Sequence, residues 1–408
     1  MKLKNLISIV RSIKKQIFLY KIQKKNITIL WFPKIENKDD IMRELSRASW
    51  YLNPIVSYID NITFVIGKKL NFTEFQVPNY IDNNIASIYD QIKDKFNFIS
   101  NNNSKRYDVV IEWSFSNQKV KKKPLIFIRS DIKYHQFDST KLIKFTELFL
   151  TKKEKKYNNN KLNKSLNEFK NHNFDSILLL GSGPSIDFIH NKNIKNKLTI
   201  VCNSVVKNKT VLENNTPNII VATDSVFHAG YSKYASDFRK ELCLRLQEYP
   251  TTLFFVPLRD LLIYKHNLPK DFTNRIIGIK SVKQKKFNLN LLKSNFVKST
   301  SNVLTFFLLP IAATISKKIY LIGFDGKKKD ESNTFWSYSE KSQFVDTINT
   351  VRTAHPAFYK VDYQKYSKVH KIEVDEIINK LHKENYNIIN LASSNIESLN
   401  RLYETKNG

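Results

Sequence analysis

Glycine is scarce in this 408-residue chain: there are 8, where average usage of ~7% would supply about 28. Cysteine is scarcer still, with only Cys202 and Cys243. Two cysteines cannot build a disulfide framework or a four-ligand zinc site, so a reducing compartment is expected. Long apolar runs are also missing. The longest, Val303 to Ile315, is too short to span a bilayer and carries Pro310, so it reads as a buried helix. Acidic residues are the minority charge, 37 Asp+Glu against 67 Lys+Arg, which leaves a formal +30. That excess suits an anionic membrane, a phosphorylated substrate or nucleic acid. Most of the cations are Lys rather than Arg, and neither a zinc-finger spacing nor an RRM-type aromatic motif is present. Nucleic acid is therefore not an expected partner. With 41% hydrophobic and 12% aromatic residues the chain folds, and its length suits two domains with a core each.

The first twenty residues interleave apolar side chains with Arg11, Lys14 and Lys15, too interrupted for the core of an export signal. They predict a basic amphipathic helix with Leu6, Ile9, Val10, Ile13, Ile17 and Leu19 toward one side. Such a helix can lie on an anionic membrane face or pack on its own domain. A cytoplasmic chain is expected, with a peripheral place on the inner face of the cytoplasmic membrane open to it.

Residues 1–150 alternate short apolar strands with helical segments. Strands are predicted at 27–32, 62–66, 107–113 and 125–128, with helices at 40–58 and 85–98. That alternation indicates a parallel sheet covered on both faces, a small Rossmann-like domain without a glycine-rich loop. Residues 151–173 are Lys- and Asn-rich and read as an interdomain linker, with partial helix open to it. The second domain, 174–408, has strands at 176–180, 198–202, 218–223, 252–256, 318–322 and 387–391. The fold class is α/β. In a doubly wound sheet ligands bind outside the carboxyl ends of the strands, where this chain places most of its small polar residues.

Where glycine is rare, its position is informative. Gly181, Gly183, Gly230, Gly323 and Gly326 all lie beyond residue 180. The turn Gly181-Ser182-Gly183-Pro184-Ser185 joins a strand to a helix. Its glycines let a ligand approach the backbone, and its free N–H groups at a helix start suit a phosphate. It is neither a Walker A loop nor Gly-x-Gly-x-x-Gly, and it is open to a plain strand–helix turn as well. Asn203 and Ser204 end the next strand. Asp224 ends the third, ahead of Ser225. It is positioned for a nucleophile, a base or a ribose ligand, and Asp is equally a favoured helix N-cap. Lys298, Thr300, Ser301 and Asn302 precede the buried helix and form either a second anion or ribose site or a cap. His355 follows Arg352 in a segment rich in aromatics, among them Phe335, Trp336, Tyr338, Phe344, Phe358 and Tyr359, and is a candidate acid or base or a structural histidine. No Asp-x-Asp ends a strand of this domain, so metal-free chemistry is expected.

The order of these pieces resembles the bacterial CMP-sialic acid transferases of the sialyltransferase-like superfamily. The matching pieces are Gly181–Ser185, Cys202-Asn203, Thr300-Ser301, Ile319-Tyr-Leu-Ile-Gly-Phe-Asp325, and an aromatic segment with His355. The likeness spans roughly residues 174–360. It implies that Gly183, Ser185 and Asn203 contact CMP, that Ser301 touches ribose or phosphate, that Tyr338 or a neighbour supports the leaving phosphate, and that His355 is the candidate base. Those enzymes lack a separate N-terminal α/β domain and a counterpart of Asp224. In both respects the chain looks more like the retaining β-Kdo transferases, which implies a double displacement through Asp224. The implied architecture is GT-B-like: two Rossmann-like domains with parallel sheets facing a central cleft and a sialyltransferase-like C-terminal domain. The implied donor is CMP-Kdo or a related CMP-ulosonate, without a cofactor. The implied acceptor is a glycan or lipid-linked glycan of cell-surface polysaccharide or lipopolysaccharide, on the side of the N-terminal domain. The segment from Pro217 to Asp224, with Gly-x-Gly-Pro-Ser, is also similar to the MptE-like 6-hydroxymethylpterin diphosphokinases, whose acidic residue would serve Mg-ATP.

Overall fold

The computed structural model describes residues 3–407 except 71–73, 101–105, 115–119, 121, 130–138, 193, 329–336 and 357–361. Phe335, Trp336, Phe358 and Tyr359 therefore lie outside the described residues. The chain divides into two compact units. The first takes residues 1–149, 230–233 and 349–361, and the second takes 150–229, 234–348 and 362–408.

The first unit is built on β1 (Ile27–Ile35), β2 (Ile59–Ile66), β3 (Phe96–Ile99), β4 (Val109–Glu112) and β5 (Ile126–Arg129). Their order is β3-β2-β1-β4-β5, and every pairing is parallel. Parallel strands are covered on both faces, so Ile29, Leu30, Trp31, Val109, Val110 and Ile111 are buried in unbroken runs. The helix Lys38–Leu52 crosses from β1 to β2. Asn37 caps it by accepting from the Asp40 N–H at 2.8 Å. Pro54 opens a 3₁₀ segment there, so the helix expected to reach residue 58 ends at Leu52. The helix expected over 85–98 stops at Ile92, and Phe96–Ile99 is strand β3. Phe96 and Phe98 pack on Phe64 of β2, a tertiary contact that outweighs their helical spacing.

The N-terminal segment is a helix, Leu3–Lys24. Phe18 is its buried anchor, against Phe145 and Phe149, while Ile13, Ile17, Leu19 and Tyr20 are 43–58% exposed. Among the described residues no helix is long and apolar enough to cross a membrane.

The second unit carries β6 (Ser176–Leu180), β7 (Lys197–Cys202), β8 (Ile219–Val221), β9 (Leu253–Pro257), β10 (Ile276–Val282), β11 (Phe296–Lys298), β12 (Lys318–Ile322) and β13 (Asn387–Asn390). The order is β11-β10-β9-β8-β7-β6-β12-β13, again all parallel. From β6 the chain steps outward to β11, then returns to lay β12 on the other flank of β6. The reversal between β6 and β12 is a topological switch point, the place in a doubly wound sheet where ligands commonly bind. The Val303–Ile315 stretch is helical and buried throughout from Leu304 onward, with a wider π turn, Leu304–Leu308, just ahead of Pro310.

The stretch expected as a linker differs. It is a 20-residue helix, Lys152–Asn171, inside the second unit. Thr151 and Glu154 form a reciprocal capping box. Leu162 and Leu166 are fully buried in the core, each contributing about 1.5–3 kcal/mol. Asn158 exchanges hydrogen bonds with both backbone groups of Gly278, at 2.6 and 2.7 Å.

Candidate functional site

The turn after β6 and the loop after β12 form one structure. Gly181 N–H donates to the Ile322 carbonyl at 2.9 Å, and Gly183 N–H donates to the Gly323 carbonyl at 2.8 Å. A Cβ on Gly181 would lie 2.3 Å from the Gly323 oxygen, and one on Gly183 would lie 2.0 Å from an Asp325 carboxylate oxygen. The space expected to admit a ligand to these glycines is thus filled by the 323–325 loop. Gly323 and Gly326 are left-handed, at φ +82 and +73, so that loop needs them as glycine. Ser185 donates to Asp325 from its N–H (3.1 Å) and Oγ (3.0 Å), and its Oγ accepts from Gly323 N–H (3.0 Å). The Ser185 donors are therefore held by a carboxylate of the chain itself. Pro184–Asn191 is a 3₁₀ rather than an α-helix. Burial raises the Asp325 carboxyl above its ordinary range, against the pull of those serine bonds. The Ser182 carbonyl accepts from Ser339 N–H at 2.9 Å, and Ser339 Oγ donates to Asp187 at 2.9 Å. These bonds tether the chain around Tyr338 to the loop.

Asp224 stands just past the carboxyl end of β8. It is the N-cap of the one-turn helix Ser225–His228, accepting from Val226 N–H and Phe227 N–H at 3.2 Å each. It retains partial solvent contact, yet the dense protein round it pushes its carboxyl up to about 6, against those two bonds and the attraction of Arg259. Neighbouring Ser225 is buried, donating to Asp260 at 2.6 Å and accepting from Arg259 Nε at 3.2 Å. Burial holds His228 neutral, at about 3, with its Nδ1 3.1 Å from the Asp224 carbonyl.

Two tyrosines share the field of Asp224. Burial first, and then the Asp224 charge, raises both Tyr234 and Tyr366. Tyr234 OH donates to Gln343 Oε1 at 2.6 Å and is bonded to Ser204. Asn203, after β7, is left-handed at φ +52, which Asn tolerates better than most residues. Its buried Oδ1 has no hydrogen-bond partner.

The 298–302 loop follows the carboxyl end of β11 and is held by the helix Tyr363–Lys383. Lys298 pairs with Glu376 at 2.8 Å. Ser301 donates from N–H (3.0 Å) and Oγ (2.5 Å) to Glu373, and its carbonyl accepts from Tyr366 OH. Thr300 Oγ1 accepts from Thr305 Oγ1 at 3.0 Å, and Asn302 Oδ1 caps the following helix through Leu304 N–H at 2.9 Å. A nucleotide reaching this loop would displace the Glu373 contacts.

His355 is placed differently from expectation. It belongs to the first unit, not to the 174–408 domain. It is 0% exposed, its Nδ1 is 3.3 Å from Ser139 Oγ, and its ring meets Tyr231 edge-on at 5.0 Å.

Arg259, Tyr234, Gln343, Tyr366 and Glu373 also reach these loops, and no motif marks them. Arg259 follows the predicted fourth strand directly, so the strand-end rule that picked Asp224 reaches it too. The others lie on helices or loops and meet the site only through the fold. Among the described residues no three His, Cys, Asp or Glu side chains come together as a metal site.

The second unit is thus a doubly wound α/β unit with polar loops gathered at its switch point, and the first is a smaller Rossmann-like unit. No family model matches the chain, and no curated protein matches it. Among solved structures it is similar to the sialyltransferase CstII from Campylobacter jejuni in complex with the substrate analogue CMP-3FNeuAc. Identity is 13% over 53% of this chain and 80% of that one, with a TM-score of 0.31. A variant of sialyltransferase CST-II in complex with CMP gives 14% identity over 53% and 81%, again at 0.31. Likeness at that level assigns neither activity nor ligand to this chain.

Proposed function

We propose that this chain is a glycosyltransferase that moves a CMP-activated ulosonic acid, Kdo by preference, to a glycan acceptor of cell-surface polysaccharide or lipopolysaccharide. The observation that carries the reading is Asp224. It is a part-accessible carboxylate at a strand's carboxyl end, raised to about 6, with the buried Tyr234, the half-buried Tyr366 and Arg259 in its field. At neutral pH it is ionised and retains appreciable affinity for a proton.

In the proposed double displacement an Asp224 oxygen attacks the anomeric carbon of the donor. The bond from that carbon to the phosphate oxygen breaks, and CMP leaves with the electron pair. The acceptor hydroxyl oxygen then attacks the same carbon and frees Asp224, which takes up the hydroxyl proton and sheds it to solvent. Asn203, whose buried amide oxygen lacks a partner among the described residues, stands at the end of β7 and in this reading binds the base or ribose. Tyr234 brings its hydroxyl to Ser204 at the same strand end, with Tyr338 within its electrostatic reach. In the first unit a cavity of about 340 Å³, lined by Lys38, Asp39, Arg43, Gln76, Tyr80 and Thr353, has the mixed polar chemistry that suits a sugar of the acceptor. The exposed apolar face of the N-terminal helix, on a basic chain, supports a peripheral place on an anionic membrane.

The test is incubation with CMP-Kdo and, separately, CMP-sialic acid, followed by intact-mass analysis. A Kdo-mass adduct on the peptide containing Asp224 is the expected result. CMP release without any adduct, undiminished in Asp224→Asn, would reject the double displacement.

A further inference from the structure

We propose that Lys327 is the cation that receives the phosphate of the nucleotide, an assignment that rests on the CMP-sugar reading above. Lys327 is 6% exposed, and among the described residues its Nζ has no hydrogen-bond partner. The ring of Tyr363 lies 5.9 Å from it. An ammonium carries three donors, and burying it with none satisfied by the protein is costly. Two other enclosed cations of this unit are paired with carboxylates: Arg245 with Glu241 and Glu248, and Lys298 with Glu376. Lys327 alone of these lacks a carboxylate.

Its place in the fold gives this unpartnered ammonium a meaning. Lys327 follows the loop at the carboxyl end of β12, beside the switch point, two residues beyond Asp325. The left-handed turn at Gly326 immediately precedes it. Tyr363 lies one helical turn before Tyr366, the residue that shares the field of Asp224, so the two rings lie on one helix face. The ammonium is therefore on the face of the unit that carries the candidate nucleophile. A phosphate monoester bears close to two negative charges, and it supplies the acceptors that this ammonium lacks. As the bond to the sugar breaks, negative charge grows on the departing phosphate oxygen, and a fixed, water-poor cation stabilises that charge. Lys327 thus supplies the neutralisation that a divalent cation gives elsewhere.

Calorimetric titration of the full chain with CMP and with cytidine tests this, because the two differ only in the phosphate. Wild type is expected to prefer CMP. Lys327→Met, which fills the same space without charge, is expected to lose about ten- to hundredfold in CMP affinity, the scale of one charge-assisted hydrogen bond. It should leave cytidine binding unchanged and raise the melting temperature. Lys327→Arg should retain most of the preference. A Lys327→Met chain that still prefers CMP as wild type does, or that melts lower and loses both ligands alike, overturns the assignment and leaves the CMP-sugar reading standing. A wild-type chain that binds neither ligand overturns both.

Discussion

Replacing Asp224 by Asn separates the stability of this chain from its chemistry. The wild-type carboxyl rises from 3.8 to about 6 in the fold because burial opposes its charge. In linkage terms the folded state holds the proton more tightly than the unfolded state. The extra stability is fully present below about pH 4 and is lost as pH rises through about 6. Ionising Asp224 in place therefore costs about 3 kcal/mol at neutral pH. Asn keeps the cap to Val226 and Phe227, since it is as good an N-cap as Asp, and it carries no charge to bury. Asp224→Asn should be the more stable protein at pH 7.5, by at most about 3 kcal/mol, with the lost attraction of Arg259 trimming the gain. For a unit of this size that is about 6–12 °C in melting temperature. At pH 5 about half of the gain should be gone, because the wild-type carboxyl is by then mostly protonated in the fold. Thermal unfolding of both proteins at the two pH values measures this, alongside turnover of CMP-Kdo, which the variant should lose. An Asn variant that melts at or below wild type at pH 7.5, or whose gain is equal at both pH values, would show that Asp224 is an ordinary ionised cap.

Gly183→Ala should destabilise the second unit by about 1–3 kcal/mol, because the new Cβ meets Asp325 at 2.0 Å and the Gly323 carbonyl at 2.8 Å. Adding Asp325→Ala should return part of the loss in denaturant titrations, and no recovery would count against the clash. Gly183 variants are consequently poor probes of CMP binding, since they disturb the junction between β6 and β12 first. Turnover is expected to survive excess EDTA, because the proposed charge balance uses side chains; a requirement for Mg²⁺ would point to the diphosphokinase-like chemistry instead. Sedimentation with vesicles containing phosphatidylglycerol should weaken more than about tenfold when Ile13 and Ile17 both become Asp, both being exposed in the fold. Pelleting that responds to salt but not to these substitutions would remove the helix from the membrane reading.

The apolar runs were enough to read the α/β class, the parallel sheets and most strands, because a strand buried on both faces needs no partner to be recognised. The ends of those strands then marked Gly181, Asn203, Asp224 and Asp325 before any packing was known. β3, β10 and β11 escaped, as did the helix Lys152–Asn171. That helix buries only a few side chains among lysines and asparagines, and so little periodicity becomes visible only when a core receives it. The same limit applies to the site. Scarcity of glycine correctly drew attention to Gly181, Gly183 and Gly323. Yet whether a ligand or another loop needed the room was a question of distance, and the loop after β12 fills it.

The histidine is the clearest separation between the two kinds of information. Residue type and neighbours made His355 a candidate base, but the chain re-enters the first unit at 349–361 and buries it against Tyr231. Conversely, nothing local distinguishes Lys327 from the chain's many other lysines. Composition fixes how many cations a chain carries, and pattern fixes which segments hide from water. Which cation is left without a partner depends on contacts between residues far apart in sequence, and those exist only once the chain has folded.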